Sequence, residues 1–472
     1  MKKVPIAVED FKEIIEQDYY YVDKTKFIED ILNDGAKVKL FCRPRRFGKT
    51  LNMSTLKYFF NIENKDENRK LFNGLYIENS PLIEEQGKYP VIFLSLKGIT
   101  ASTWEGAVKN IRDKIFKLYN EYDGKINHIL TENENKIFNK FAGKESDEEE
   151  LKTSLSFLTS LLYKYYNQKV VVLIDEYDSP IMNAYEKGYY NEMRDFLKAF
   201  YGDVLKTNEY LQVGVLTGII RVAQAGIFSD LNNFISYTTL NDEYSQSFGL
   251  VEDEVKAMLS CYKIGYEMLE VKKWYDGYSF GKDEIYNPWS ILNFVQFKVL
   301  KSYWINTSSN FMIRELLEHT GEEGLKTLEK IFNQEEVAVR ITENVRFGNN
   351  LSASEVWELM LYSGYLTING GLDDGRYLVR IPNMEIMNFF KDEFLTIVFG
   401  NYDKVDRLRD ALKDKNIEQL NKSIEELVLH TMSSHDITKY YENPYHMLLL
   451  GFFYALDGYY LSKSNMEAGY GR

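Results

Sequence analysis

Two hydrophobic periods alternate through the first half of the chain, and one of them dominates the second half. Residues 27–32 have the spacing of a short amphipathic helix. Residues 37–42 alternate and then turn apolar, which predicts a strand running into the polar stretch 43–49, and residues 50–60 return to helical spacing. Residues 91–96, 170–174 and 211–216 are apolar runs too short for helices. Runs of that kind predict strands buried on both faces, as in a parallel sheet. Helical periods that begin near Thr103 and cover 152–166 separate them, with the acidic stretch 143–150 as an exposed loop or helix start. Strands alternating with helices predict an α/β fold built on a doubly wound, mostly parallel sheet.

Beyond about residue 248 the pattern is mostly helical. Residues 351–382 depart from it: a helix, a strand, the turn GGLDDG and a second strand, an order that resembles a winged-helix unit. In its would-be recognition helix, Glu355 to Leu361, acids stand where DNA-reading Arg and Lys are expected, so packing between domains is the better expectation. Residues 405–432 and 444–455 are again helical by period. The expected organisation is a core over 1–248, a helical lid over 249–346, the winged-helix-like unit over 347–400 and a last segment over 401–472.

Composition narrows the partners. A chain of 472 residues is too long for one ordinary core and predicts two to four folded units. A formal net charge of −14 argues against unspecific nucleic-acid binding, which leans on a basic footprint. Two cysteines, Cys42 and Cys261, form no disulfide framework and predict a reducing, cytoplasmic setting. The N-terminus has no apolar core of signal-peptide length, and the apolar stretch 447–461 is interrupted by Asp457 and too short to span a bilayer. The five histidines have no zinc-binding spacing. The 36 tyrosines and 29 phenylalanines lack the basic interleaving of a base-stacking surface, so most are expected in the core.

The chemistry sits between the first strand and the helix after it. Arg43-Pro-Arg-Arg-Phe-Gly-Lys-Thr50 matches the phosphate-binding P-loop pattern G-x-x-x-x-G-K-[ST] except at its first position, where Arg43 replaces glycine. Gly48 lets the backbone wrap close to phosphate oxygens, and Lys49 supplies charge to the β- and γ-phosphates. Thr50 offers a hydroxyl to Mg²⁺ and opens a helix whose free N–H groups favour an anion. The apolar strand 170–174 ends in Asp175 and Glu176. Asp175 is expected to hold Mg²⁺ through water, and Glu176 to orient the attacking water. The pair of motifs predicts a P-loop NTPase core with ATP and Mg²⁺ as cofactors; a degenerate site that only binds nucleotide is the competing expectation.

Further stretches resemble one family, the predicted AAA-ATPase-like proteins of bacteria, often joined to a C-terminal PD-(D/E)XK nuclease-like domain. The resemblance rests on Tyr21-Val-Asp-Lys-Thr25, the variant P-loop, Ile174-Asp-Glu-Tyr-Asp178, Thr217-Gly-Ile-Ile-Arg221, residues 227–233, Tyr275-Asp-Gly-Tyr-Ser-Phe-Gly281 and Tyr286-Asn-Pro-Trp-Ser290. It implies that the missing first glycine is ordinary, and that Lys49, Thr50, Asp175 and Glu176 act as argued. Arg221, past a strand expected to neighbour the acidic one, is either a sensor of the γ-phosphate or a surface or interface arginine. Phe47, inside the loop, is expected among the nucleotide-binding residues, and Arg45 and Arg46 either touch phosphates or a neighbouring protomer, or lie at an exposed loop tip. Tyr21 and Asp23 either border the base or serve as core residue and helix cap.

The resemblance breaks at the nuclease-like end. Glu442 and Glu467 lie in stretches similar to the start of that domain, but the family's Asp and Glu-x-Lys do not follow before Arg472. Truncation of a longer chain is the expected account, loss of the nuclease core the other, and the chain as given is not expected to cut DNA. The function expected is an Mg²⁺-dependent ATPase acting as a conformational switch, alone or with a protein partner or further copies of itself. A binding switch with little turnover, or an ATPase-gated nuclease in a longer chain, stands as the alternative.

Overall fold

The computed structural model describes residues 1–222, 227–228, 234–304, 327, 330–331, 334–342, 352–399 and 402–433. Five strands, β1 (Val38–Cys42), β2 (Val91–Ser95), β3 (Val170–Asp175), β4 (Leu211–Gly218) and β5 (Phe234–Tyr237), form one sheet in the order β2-β3-β4-β1-β5. Every pairing in it is parallel. All residues of β1 and β3 are buried, as in a sheet covered on both faces, and the one lysine among them, Lys39, donates to the Asp34 and Ala36 carbonyls. The three strands expected from apolar runs and the one expected from alternation over 37–42 are present. β5 was not anticipated: four residues at the sheet edge, none of them fully buried, give no period to read.

The helices start where short-range chemistry allows. Among them, α1 (Phe11–Glu16) is capped by the Asp10 carboxylate, α2 (Lys26–Asn33) follows the Tyr21–Thr25 stretch, and α3 (Lys49–Phe60) leaves the P-loop. The acidic stretch 143–150 resolves into a helix start: Asp147 and Glu150 form a reciprocal capping box at the head of the helix Glu148–Tyr166.

After the core the chain is less helical than its pattern predicted. A two-stranded hairpin, β6 (Tyr278–Phe280) and β7 (Asp283–Ile285), interrupts the helices Met268–Tyr275 and Pro288–Phe297. Gly277 makes the break possible: its φ is 94°, and a Cβ there would lie 2.1 Å from the Pro382 carbonyl oxygen. A second, antiparallel sheet has the order β8-β10-β9, from β8 (Val337–Arg340), β9 (Thr367–Gly371) and β10 (Arg376–Arg380). β8 comes from the stretch expected to be lid. The helix Ala353–Ser363 buries Val356, Trp357, Glu358, Leu359, Met360 and Leu361, so the supposed recognition surface is packed inside the protein. Its C-cap Gly364 sits where an added Cβ would be 3.0 Å from Pro44, which brings the end of this helix against the P-loop. Helices Tyr402–Lys413 and Ile417–Ser433 follow. Glu442, Glu467 and the helix expected over 444–455 lie outside the described residues. Among those described, no helix is long and apolar enough to cross a membrane.

Candidate nucleotide-binding site

β1 delivers the P-loop to the C-terminal edge of the sheet, where the Arg43 N–H donates to the Gly218 carbonyl at 3.1 Å. The loop then turns through two left-handed residues, Arg46 (φ 69°) and Gly48 (φ 82°), and Gly48 serves as N-cap of α3 without a side-chain cap. With no capping side chain, the first N–H groups of α3 remain available to an anion. The buried Lys49 ammonium donates to the Arg43 and Pro44 carbonyls at 2.9 and 2.8 Å. It is folded back against the loop it would bridge to phosphate. Burial lowers its pKa, and the nearby carboxylates of Asp178, Asp175 and Glu176 oppose that shift.

The two halves of the site meet at Asp175. Thr50 donates its hydroxyl to Asp175 Oδ2 at 2.8 Å, and Thr217, at the end of β4, donates to Oδ1 at 2.5 Å. β4 lies between β1 and β3, so the sheet order itself brings Thr50, Thr217 and Asp175 together. A hydroxyl and a carboxylate are hard oxygen donors, a set suited to Mg²⁺. Glu176, the next residue, has φ 53°, a conformation that costs a non-glycine residue about 1–2 kcal/mol. Its pKa is raised, first by burial and then by Asp175, while Lys49 pulls the other way.

Arg43, in place of the first P-loop glycine, is fully buried. Its guanidinium lies 5.2 Å from the ring centres of Phe248 and Phe280. It donates to the Cys42, Tyr237 and Tyr244 carbonyls at 2.9, 2.9 and 3.3 Å, and burial lowers its pKa to about 10. The side chain is a strut between the loop, the end of β5 and the β6–β7 hairpin. Phe47, expected among the nucleotide-binding residues, has a buried ring packed on Tyr278 and Phe280 at 5.0 and 5.2 Å. Its carbonyl accepts from Gly249 N–H at 3.1 Å. Arg46 is exposed and rests 4.1 Å from the Trp289 ring centre, while Arg45 is half-buried.

Tyr21 and Asp23 separate. Asp23 accepts from the Thr25 N–H and hydroxyl through Oδ1, and from the Tyr76 N–H through Oδ2 at 2.6 Å. Both oxygens are engaged in fixing the turn before α2, whose N-cap is Thr25 with no side-chain cap bond, so Asp23 is not the helix cap. Tyr21 packs edge-on to Phe11 at 5.4 Å and also lines an apolar pocket beside the P-loop. That pocket is walled by Tyr21, Val22, Gly48, Leu51, Met258 and Leu292, drawn from the N-terminal segment, α3 and the helices beyond the core. Arg221 is half-buried just past β4, and its charge is felt at the buried Cys42 thiol beside the P-loop.

Two residues of the site had no role assigned from sequence. Thr217 and Asp178 both stood inside quoted motifs, yet a threonine at a strand end and a third acid carry no chemical signature alone. Asp178 is buried, and burial raises its pKa.

Comparison with known proteins agrees with this architecture. The sequence model of a family described as "Predicted AAA-ATPase" matches residues 5–228. A protein of Azotobacter chroococcum mcd 1, called "Uncharacterized protein in vnfD 5'region", is 30% identical over 395 residues, which cover 82% of this chain and 68% of that protein. The match reaches well past the core, into the elements that pack on the P-loop. The chain belongs to the predicted AAA-ATPase family.

Proposed function

We propose that the protein binds ATP with Mg²⁺ at the P-loop and hydrolyses it, using the cycle as a conformational switch. The observation that carries this is the joint at Asp175, where the P-loop hydroxyl of Thr50 and the strand-end hydroxyl of Thr217 each hold one carboxylate oxygen. Thr50 and Asp175 would hold Mg²⁺, whose charge neutralises phosphate oxygens. Lys49 leaves its two loop carbonyls for the β- and γ-phosphates, trading neutral acceptors for charged ones. Glu176 orients and polarises the attacking water, and Arg221 stabilises charge on the γ-phosphate. The apolar pocket lined by Tyr21, Leu51 and Leu292 suits the flat face of the base. Nucleotide would thus touch both the sheet and the elements beyond residue 248, which supports a switch.

Equilibrium binding of a fluorescent ATP analogue tests the site itself. Affinity should fall at least about 100-fold in Lys49→Ala, and should depend on Mg²⁺ in the wild type but not in Asp175→Asn. Equal affinity in all three chains, with or without Mg²⁺, sinks the assignment.

A further inference from the structure

Four backbone groups just past β4 are held by two side chains that the reaction does not use. Asp178 Oδ2 accepts from the Ile219 and Ile220 N–H groups at 2.7 and 2.9 Å. The Tyr177 hydroxyl donates to the Ile220 carbonyl at 2.7 Å and accepts from the Val222 N–H at 3.1 Å. The residue enclosed by these bonds is Arg221. Both holding side chains are buried, at 0% and 2% exposure for Tyr177 and Asp178. Tyr177 is fixed in turn: its N–H donates to the Thr217 carbonyl at 2.9 Å, and its carbonyl accepts from the Tyr201 hydroxyl at 2.8 Å.

The approach is built into the backbone. A Cβ on Gly218 would lie 2.5 Å from the Tyr177 ring and 2.9 Å from Asp178 Cγ. Only glycine lets the two side chains pass under the end of β4. Burying a carboxyl is expensive, and a fold that needed only filled volume would use an apolar residue here. The carboxyl instead takes two N–H groups of the segment that carries the arginine, from the turn that also carries Glu176.

We infer that Tyr177 and Asp178 are positioning residues that hold Arg221 against the γ-phosphate, so that the arginine and Glu176 are set by one rigid turn. This rests on the proposed function, because it needs a nucleotide at the P-loop. The consequence is specific: loss of the clamp should blunt the distinction between ATP and ADP without uniformly weakening both.

The test is equilibrium binding of ATP and ADP to the full chain carrying Glu176→Gln, which blocks turnover. Arg221→Ala should lower the preference for ATP about 10- to 100-fold, the range of one or two charge-assisted hydrogen bonds. Asp178→Ala should lower it comparably, Tyr177→Phe in the same direction, and Asp178→Asn much less, because the amide oxygen still accepts the two N–H groups. The double variant Arg221→Ala/Asp178→Ala should behave like Arg221→Ala alone. The inference is overturned if Asp178→Ala and Tyr177→Phe leave the preference intact, if they weaken ATP and ADP equally, or if Asp178→Ala costs as much without Arg221 as with it. If the Glu176→Gln chain binds neither nucleotide, the nucleotide reading fails and the inference with it; nucleotide binding with an unchanged preference in the clamp variants removes the inference alone.

Discussion

Glu176 carries the clearest residue-scale conflict in the site. It holds a left-handed φ of 53° next to Asp175, and its pKa is raised by burial and by that neighbour. Strain and like charge at one position are tolerated where function demands them. Glu176→Gly should therefore stabilise the chain by about 0.5–1 kcal/mol, because glycine adopts this φ freely though it loses more entropy on folding. Denaturant unfolding should show that gain alongside a loss of turnover; a destabilised Gly variant would mean that the side chain makes a compensating contact. The pH dependence has a definite sign. Protonated Glu176 cannot polarise water, so turnover should rise with pH through a limb above the ordinary glutamate value of about 4.3. Stability should run the other way: a folded pKa above the unfolded one means that the folded chain binds more protons, so this group's contribution falls as pH climbs from the unfolded pKa through the folded one. A pH–rate profile with no acid limb above the ordinary glutamate range would remove Glu176 from that role.

At the scale of elements, Arg43 shows why the variant P-loop tolerates losing its first glycine. The side chain points into a cage made by Tyr237, Tyr244, Phe248 and Phe280, and the loop's turn is made elsewhere, at Arg46 and Gly48. Arg43→Gly, which restores the common pattern, should not tighten nucleotide binding and should cost about 3 kcal/mol by removing charge-assisted bonds to three carbonyls. A melt that leaves stability unchanged would show that the strut is dispensable. Gly218→Ala should cost about 1–3 kcal/mol by overpacking against Tyr177 and Asp178, read by the same unfolding experiment. The strands β3 and β4 were legible in the sequence because a buried strand writes an apolar run, β1 because its alternation ends apolar against a polar turn, and the P-loop and acid pair because their spacing carries their chemistry. The direction of Arg43 was not, since it depends on aromatic residues about 200 positions away in the chain. Nor were β5, β6, β7 and β8, each of three or four residues. Strands that short take their form from partners rather than from their own pattern. Asp23 could be read two ways until Tyr76, 53 residues on, supplied the second half of its hydrogen bonding.

Across the whole molecule, the elements beyond the core converge on the P-loop. Phe47 packs on β6, Arg43 meets Phe280, Gly364 abuts Pro44, and Arg46 lies on Trp289. The Ser279 N–H then donates to the Thr367 hydroxyl at 2.8 Å, which joins the hairpin to the second sheet. A nucleotide that moves Lys49 or Arg46 would be felt along this path. Hydrogen exchange should therefore slow in 278–285 and 353–371 on addition of Mg·ATP, and not in Lys49→Ala; protection confined to the P-loop and α3 would deny the switch a route outward. Turnover at the P-loop is read from steady-state phosphate release from Mg·ATP. The wild type should release phosphate, with Lys49→Ala and Glu176→Gln each slower by at least about 100-fold. Equal rates in the three chains, whether all active or all inactive, would contradict it.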